Sequence, residues 1–136
     1  MQTFLPHTDF KTSAQFLDNK RLGKQRVEAK QILNILLNRT DKKGWRNHPA
    51  VLMWRGFEDA LKLYYNHCVL EWISRGFKNT MPLEIISDDI NYPIWYTDTF
   101  CSFHRATLLY KNFDWYKRFN WVEKPKYEYF WPSRSI

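Results

Sequence analysis

At 136 residues the chain is long enough to bury a core without disulfide or metal staples, and its 44% apolar content excludes a disordered polymer. No apolar run approaches a membrane span, and the start MQTFLPHTDF has no signal-peptide pattern, so one cytoplasmic domain over 1–136 is expected. Net charge of +7 beside 18% aromatic residues calls for an anionic partner: nucleic acid first, then acidic lipid or protein.

In chain order, Pro6 predicts an extended start. Thr8 or Asp9 can cap a helix beginning near Phe10. After a break near Asp18-Asn19 comes LDNKRLGKQRVEAKQILNILL, residues 17–37. Its first half carries Lys20, Arg21, Lys24, Arg26 and one carboxylate, Glu28; its second half is apolar. Read as one helix, Lys20, Lys24 and Glu28 share a face. The helix would be anchored at its C-terminal end and would present cations around one acid at the other. Two readings follow. Glu28 is either the i, i+4 partner of Lys24, or a carboxylate available for proton transfer or for stabilising a cationic centre. Gly23 inside this helix costs roughly 1 kcal/mol relative to Ala unless something must approach it closely.

Residues 38–48, NRTDKKGWRNH, are a polar, basic break. Pro49 then suits a first helical turn. Ala50, Trp54, Phe57, Leu61, Tyr64, Cys68 and Trp72 form one apolar stripe, predicting a continuous helix that ends at Gly76. Residues 77–98 hold Pro82, Pro93 and an acidic cluster without helical period, and are read as a long connector. A third main helix is expected from about Thr99 to Phe113, carrying His104, Arg105 and Lys111. The tail DWYKRFNWVEKPKYEYFWP mixes rings and cations without a period; it either covers the domain or forms a binding wall. The fold class is therefore all-α, with about three main helices, a connector and an aromatic tail.

Motifs exclude several chemistries. There is no phosphate loop, dinucleotide turn, nucleophile elbow or CxxC. The four histidines lack metal-ligand spacing, and Asp88-Asp89 reads as a solvated turn, so neither metal nor cofactor is expected. Cys68 and Cys101 lie in apolar helical patterns and read as small buried hydrophobes.

Four blocks carry a resemblance: LDNKRLGKQRVEAKQIL at 17–33, NHPAVLMWRGFEDAL at 47–61, SFHRATLLYK at 102–111 and YEYFWP at 127–132. With them the chain resembles the pyrimidine-dimer DNA glycosylase family, in its small bacterial and phage branch. That resemblance implies a helical domain that binds damaged duplex DNA, bends it and extrudes a nucleotide. It implies an N-terminal α-amine that attacks C1′ of the deoxyribose, a Schiff base, and strand cleavage by β-elimination, without a metal. Because α-amines ionise well below lysine side chains, a useful neutral fraction survives at neutral pH. Carried onto this chain, the catalytic residues are Glu28 and the amine of Met1, with Lys20 or Lys24 as an alternative amine. The DNA contacts are Lys20, Arg21, Lys24, Arg26, Arg55, His104, Arg105 and Lys111. Trp115 and Tyr116 are candidates for stacking; Trp54 is considered beside them, but it lies on the apolar stripe and is expected in the core. The partner is duplex DNA bearing a damaged or modified base, with no obligate protein partner. Two other functions stay open: a non-catalytic nucleic-acid-binding module, and an enzyme of free nucleotides.

Overall fold

The computed structural model describes residues 1–42, 44–128 and 130–132, so Lys43 of the basic loop and Tyr129 of the tail motif lie outside the described residues. The described residues form helices and no strand: α1 Phe10–Phe16, α2 Asn19–Leu36, α3 Pro49–Leu52, α4 Glu58–Ser74, α5 Asp98–Lys111 and α6 Phe113–Tyr116, with a 3-10 turn Lys117–Phe119. The all-α expectation holds.

Local chemistry sets the first two helices. The Asp9 carboxylate accepts from Thr12 N–H at 2.9 Å and opens α1. Leu17 is extended and stops it, and Asp18 accepts from Arg21 N–H at 3.3 Å and opens α2. The corner is locked from 98 residues away. The Asp18 N–H donates to the Tyr116 hydroxyl at 3.0 Å, and that hydroxyl donates to Asp18 Oδ1. α2 and α4 then pack together through Leu22, Ala29, Ile32 and Leu33 on one side and Leu61, Tyr64, Tyr65 and Cys68 on the other, all within one buried cluster.

The helix expected across 49–76 is broken. Gly56 takes φ +88°, a left-handed conformation that glycine adopts without strain, and α4 starts only at Glu58, whose carboxylate accepts from Gly56 N–H at 3.0 Å. Ala50 and Trp54 keep the stripe buried across the break. Burial alone therefore imitated a continuous helix. At the other end Gly76, φ +88°, closes α4 where expected.

The connector contains no helix, and it is laced to α2 and α4 by side chains. Tyr65 donates to Pro82 O at 2.7 Å, and Asn66 both accepts from Glu84 N–H and donates to Glu84 O. Glu84 in turn takes ion pairs from Arg39 and Lys30, which hold its carboxyl down at about 2, Arg39 contributing most.

The tail covers the domain. Phe130 stacks on Phe103 with centroids 4.2 Å apart, Trp121 stacks on Tyr116, and Thr107 donates to Glu128 O at 2.8 Å. α5 stops at Lys111, short of the expected Phe113, because Asn112 turns the chain and caps α6 by accepting from Trp115 N–H at 3.2 Å. That short helix carries no amphipathic repeat and was not foreseen. Cys68 and Cys101 are free and buried, and burial pushes both thiols up to about 12.

Candidate active site at the start of the chain

Residues 2–6 are buried, yet no strand pairs with them. Buried backbone groups without partners cost about 1–3 kcal/mol each, so side chains take the place of a neighbouring strand. From α2, Gln25 accepts from Phe4 N–H at 2.9 Å and donates to Gln2 O at 2.8 Å. Three residues on, Glu28 Oε2 accepts from Gln2 N–H at 2.7 Å. From α5, His104 Nδ1 accepts from Leu5 N–H at 2.8 Å, and from α4 Tyr64 donates to Phe4 O at 2.8 Å. Trp54 Nε1 adds a bond to Thr3 Oγ1 at 3.1 Å.

These bonds fix where the chain begins. The Met1 α-amine lies 4.0 Å from Glu28 Oε2, and the Glu28 side chain is 22% exposed. Glu28 makes no ion pair with Lys24 among the described residues; its partners are the backbone of Gln2 and the amine of Met1. The helical i, i+4 reading is thereby overturned, because a buried backbone donor outcompetes a solvated lysine. The amine's charge also reaches His48, whose imidazole falls below its usual range through burial first and that charge second.

Two openings flank Glu28. A cavity of about 420 Å³ lies between α2 and the basic loop and is lined by Met1, Glu28, Gln31, Asn34, Ile35 and Trp45, among others. A shallower groove on the other side is lined by Lys20, Gly23, Lys24, Val27 and Trp72. Gly23 is explained here: a Cβ on it would sit 3.1 Å from two ring carbons of Trp72. That ring has little room to yield. It donates to Lys78 O at 2.9 Å, stacks on Phe77 at 4.2 Å and lies under the Arg26 guanidinium at 4.3 Å. Gly23→Ala should therefore lower stability by about 1 kcal/mol, although helix propensity alone predicts a similar gain. Thermal unfolding of the variant checks the sign.

The cations divide into two sets. Lys30 and Arg39 are held by Glu84, Lys62 by Asp59, Arg75 by Glu71, and Arg105 by Asp98 and Glu123. Lys20, Arg21 and Lys24 form no ion pair among the described residues. Arg21 lies over the Phe4 ring, and its Nε is buried without a hydrogen-bond partner there, as is Gln2 Nε2. The N-terminal half of α2, beside Glu28, thus carries exposed Lys20 and Lys24 without ion pairs among the described residues; Lys11, Lys42, Lys78, Arg118 and Lys124 are likewise exposed without one elsewhere on the surface.

Several residues chosen as DNA contacts lie elsewhere. His104 is 2% exposed and neutral, its basicity pushed down to about 3 by burial. Tyr116 and Trp54 are fully buried and serve the α1–α2 corner and the N-terminal segment; none of these three can meet DNA. Arg105 donates to Pro6 O at 2.9 Å besides its two ion pairs, which makes it a brace. Arg26 donates to Asn79. Arg55 is exposed and reaches Arg46 O at 3.4 Å. Trp115 is half-buried, donates to Phe16 O at 2.8 Å and is faced by Arg118 and Arg75. Lys111 lies over Tyr127 at 4.9 Å. Glu28, Lys20 and Lys24 come together with Met1 around the two openings, and Arg21 flanks them on α2. Gln25, Gln31 and His104 lie in the blocks that carry the family resemblance, but nothing in those blocks marks what their side chains face; Asn34 and Trp45 lie outside them. The one usable signal is Gln25, a glutamine on the otherwise apolar buried face of α2.

Asp88 and Asp89 are exposed, and among the described residues no three His, Cys, Asp or Glu side chains converge as a metal site. No helix among them is long and apolar enough to cross a membrane.

A helical scaffold that sets an amine against a carboxylate, beside unpaired cations, defines a class of protein suited to a polyanionic substrate. The pyrimidine dimer DNA glycosylase family matches residues 1–85, more than half of the chain, including Met1, Glu28 and the residues that line both openings, and the chain belongs to that family. No curated protein and no solved structure matches it.

Proposed function

We propose that this protein excises a damaged or modified pyrimidine from duplex DNA, with the Met1 α-amine as nucleophile and Glu28 as its supporting carboxylate. The observation that carries the reading is the 4.0 Å approach of the amine to Glu28 Oε2, at the mouth of a cavity. The neutral amine adds to C1′, and the glycosidic bond breaks with its electron pair leaving on the base, which is protonated. The nitrogen lone pair then opens the C1′–O4′ bond to give the iminium, and O4′ takes a proton. Glu28, already close to the amine, is the group placed to accept the amine's proton and return it to O4′. Loss of a C2′ proton expels the 3′ phosphate, and water releases the enzyme amine. Lys20, Arg21 and Lys24 hold backbone phosphates, so binding should weaken steeply with salt. The site of action follows the substrate, DNA in the cytoplasm.

Borohydride trapping on a duplex with one abasic site, followed by mass spectrometry, tests this. The expected product is a reduced adduct on the Met1 amine. An adduct on Lys20 or Lys24 would move the nucleophile into α2. Binding without any adduct would leave a non-catalytic DNA-binding protein on the family's scaffold.

A further inference from the structure

We infer, building on the amine chemistry just proposed, that Arg105 is a positioning residue for the reaction: its guanidinium, held by Glu123 of the tail, fixes Pro6 and through it the place of the Met1 amine beside Glu28. The start of the chain is gripped from two helices. On α2, Glu28 and Gln25 hold the backbone of Gln2 and Phe4. On α5, the neighbours His104 and Arg105 hold the next two residues, Leu5 through its N–H and Pro6 through its carbonyl. Proline has no N–H, so that carbonyl is the one backbone group by which Pro6 can be held. Bonds to α2 alone would leave the segment free to pivot about that helix. The second line of bonds, from α5, removes the freedom.

The guanidinium is committed to the protein. Nη1 donates to Pro6 O at 2.9 Å and to Asp98 Oδ1 at 3.1 Å, and Nη2 donates to Glu123 Oε2 at 2.9 Å. The Arg105 and Glu123 side chains are 12% and 11% exposed, whereas Asp98 is 79% exposed. Solvent therefore screens the Asp98 pair, and the Glu123 pair sets how the planar fork is turned toward Pro6. Glu123 is fixed in turn by Ser102, whose hydroxyl donates to the same Oε2 at 2.8 Å. The tail around it lies along α5, with Thr107 donating to Glu128 O at 2.8 Å and Lys126 N–H donating to Ala106 O at 3.1 Å. Asp98, Arg105 and Glu123 all lie beyond residue 85, where the family match ends. Their effect falls on the rate with DNA already bound, because a displacement of about 1 Å between reacting groups can cost on the order of 100-fold.

The test uses the full chain and two readouts of placement. A water-soluble carbodiimide joins a carboxylate to an amine beside it, so the wild type should give a Met1–Glu28 amide, located by mass spectrometry. Arg105→Met should lower that yield, and slow borohydride trapping on abasic duplex at saturating protein, each by about tenfold. Its Kd for undamaged duplex and the salt dependence of that Kd should stay at wild-type values. A folded Arg105→Met with wild-type crosslinking and trapping would overturn the assignment. So would a salt slope reduced by about one, which would make Arg105 a phosphate contact. Where circular dichroism shows Arg105→Met unfolded, Glu123→Gln decides: it keeps an acceptor for Arg105, loses the charge, and should show both losses at about threefold. Wild-type values in that variant would overturn the assignment, as would a wild type that forms no Met1–Glu28 amide. Failure of the amine chemistry is read separately: wild-type protein that forms the amide and gives no borohydride adduct loses the Met1 nucleophile, while the crosslinking yields of the variants still decide the role of Arg105.

Discussion

Glu28→Gln is expected to slow Schiff-base formation on abasic duplex DNA by about 100-fold or more, the usual scale for losing a positioned acid–base group. The substitution is nearly isosteric, and a glutamine carbonyl can still accept from Gln2 N–H, the 2.7 Å bond that holds the chain start. Folding should therefore be close to normal. Affinity for undamaged duplex should hold or rise, because one negative charge leaves a surface where Lys20, Arg21 and Lys24 have no ion-pair partner among the described residues. The informative result is the split between the two: trapping rate collapses while DNA binding persists. A variant that traps as fast as the wild type would remove Glu28 from the chemistry and leave it only as an anchor for Gln2. One that fails to bind would point to a misplaced N-terminal segment, which circular dichroism and unfolding would reveal.

Acidification should release that same segment through His104. Its ring is packed against Phe4 at 5.8 Å and Phe100 at 4.5 Å, and Nδ1 accepts from Leu5 N–H, so the folded state holds it neutral. Its pKa falls from 6.5 to about 3 on folding. The unfolded chain therefore binds a proton below pH 6.5 that the folded chain refuses, and the neutral-state stability is lost as pH falls from that point toward 3. By pH 5 the loss from this one residue is about 2 kcal/mol. His48 and His67, both also depressed by burial, add in the same direction. Urea titrations at pH 7 and pH 5 measure the total. His104→Asn should be less stable at pH 7 yet flatter between the two pH values, and only a titrating His104 explains that difference in slope. Because Leu5 and Phe4 carry Met1 into place, trapping activity in the wild type should decline over the same window.

The sequence by itself determined whatever depends on neighbours along the chain. Asp9 and Asp18 mark two helix starts, the polar run 38–48 separates α2 from α3, Gly76 ends α4, and the cations crowd the first half of α2. Each of these follows from a cap, a breaker or a period of 3.6, which a few adjacent residues contain in full. The family resemblance supplied the rest of the catalytic hypothesis and placed Glu28 at its centre. Spacing alone would have paired Glu28 with Lys24, and would have run one helix through Gly56.

Only the tertiary structure decided what each side chain faces. Glu28 meets Gln2 across 26 positions, His104 meets Leu5 across 99, and Tyr116 meets Asp18 across 98. A basic or aromatic residue in a helix reads the same from sequence whether it points to solvent or to the core, so His104 and Tyr116 looked like ligands for DNA while they hold the fold together. The deciding quantity is the buried N-terminal segment. Its backbone donors and acceptors must be satisfied, no strand is there to satisfy them, and the side chains enlisted for that task are set by which distant helices happen to flank it. The same constraint brings the amine to the carboxylate.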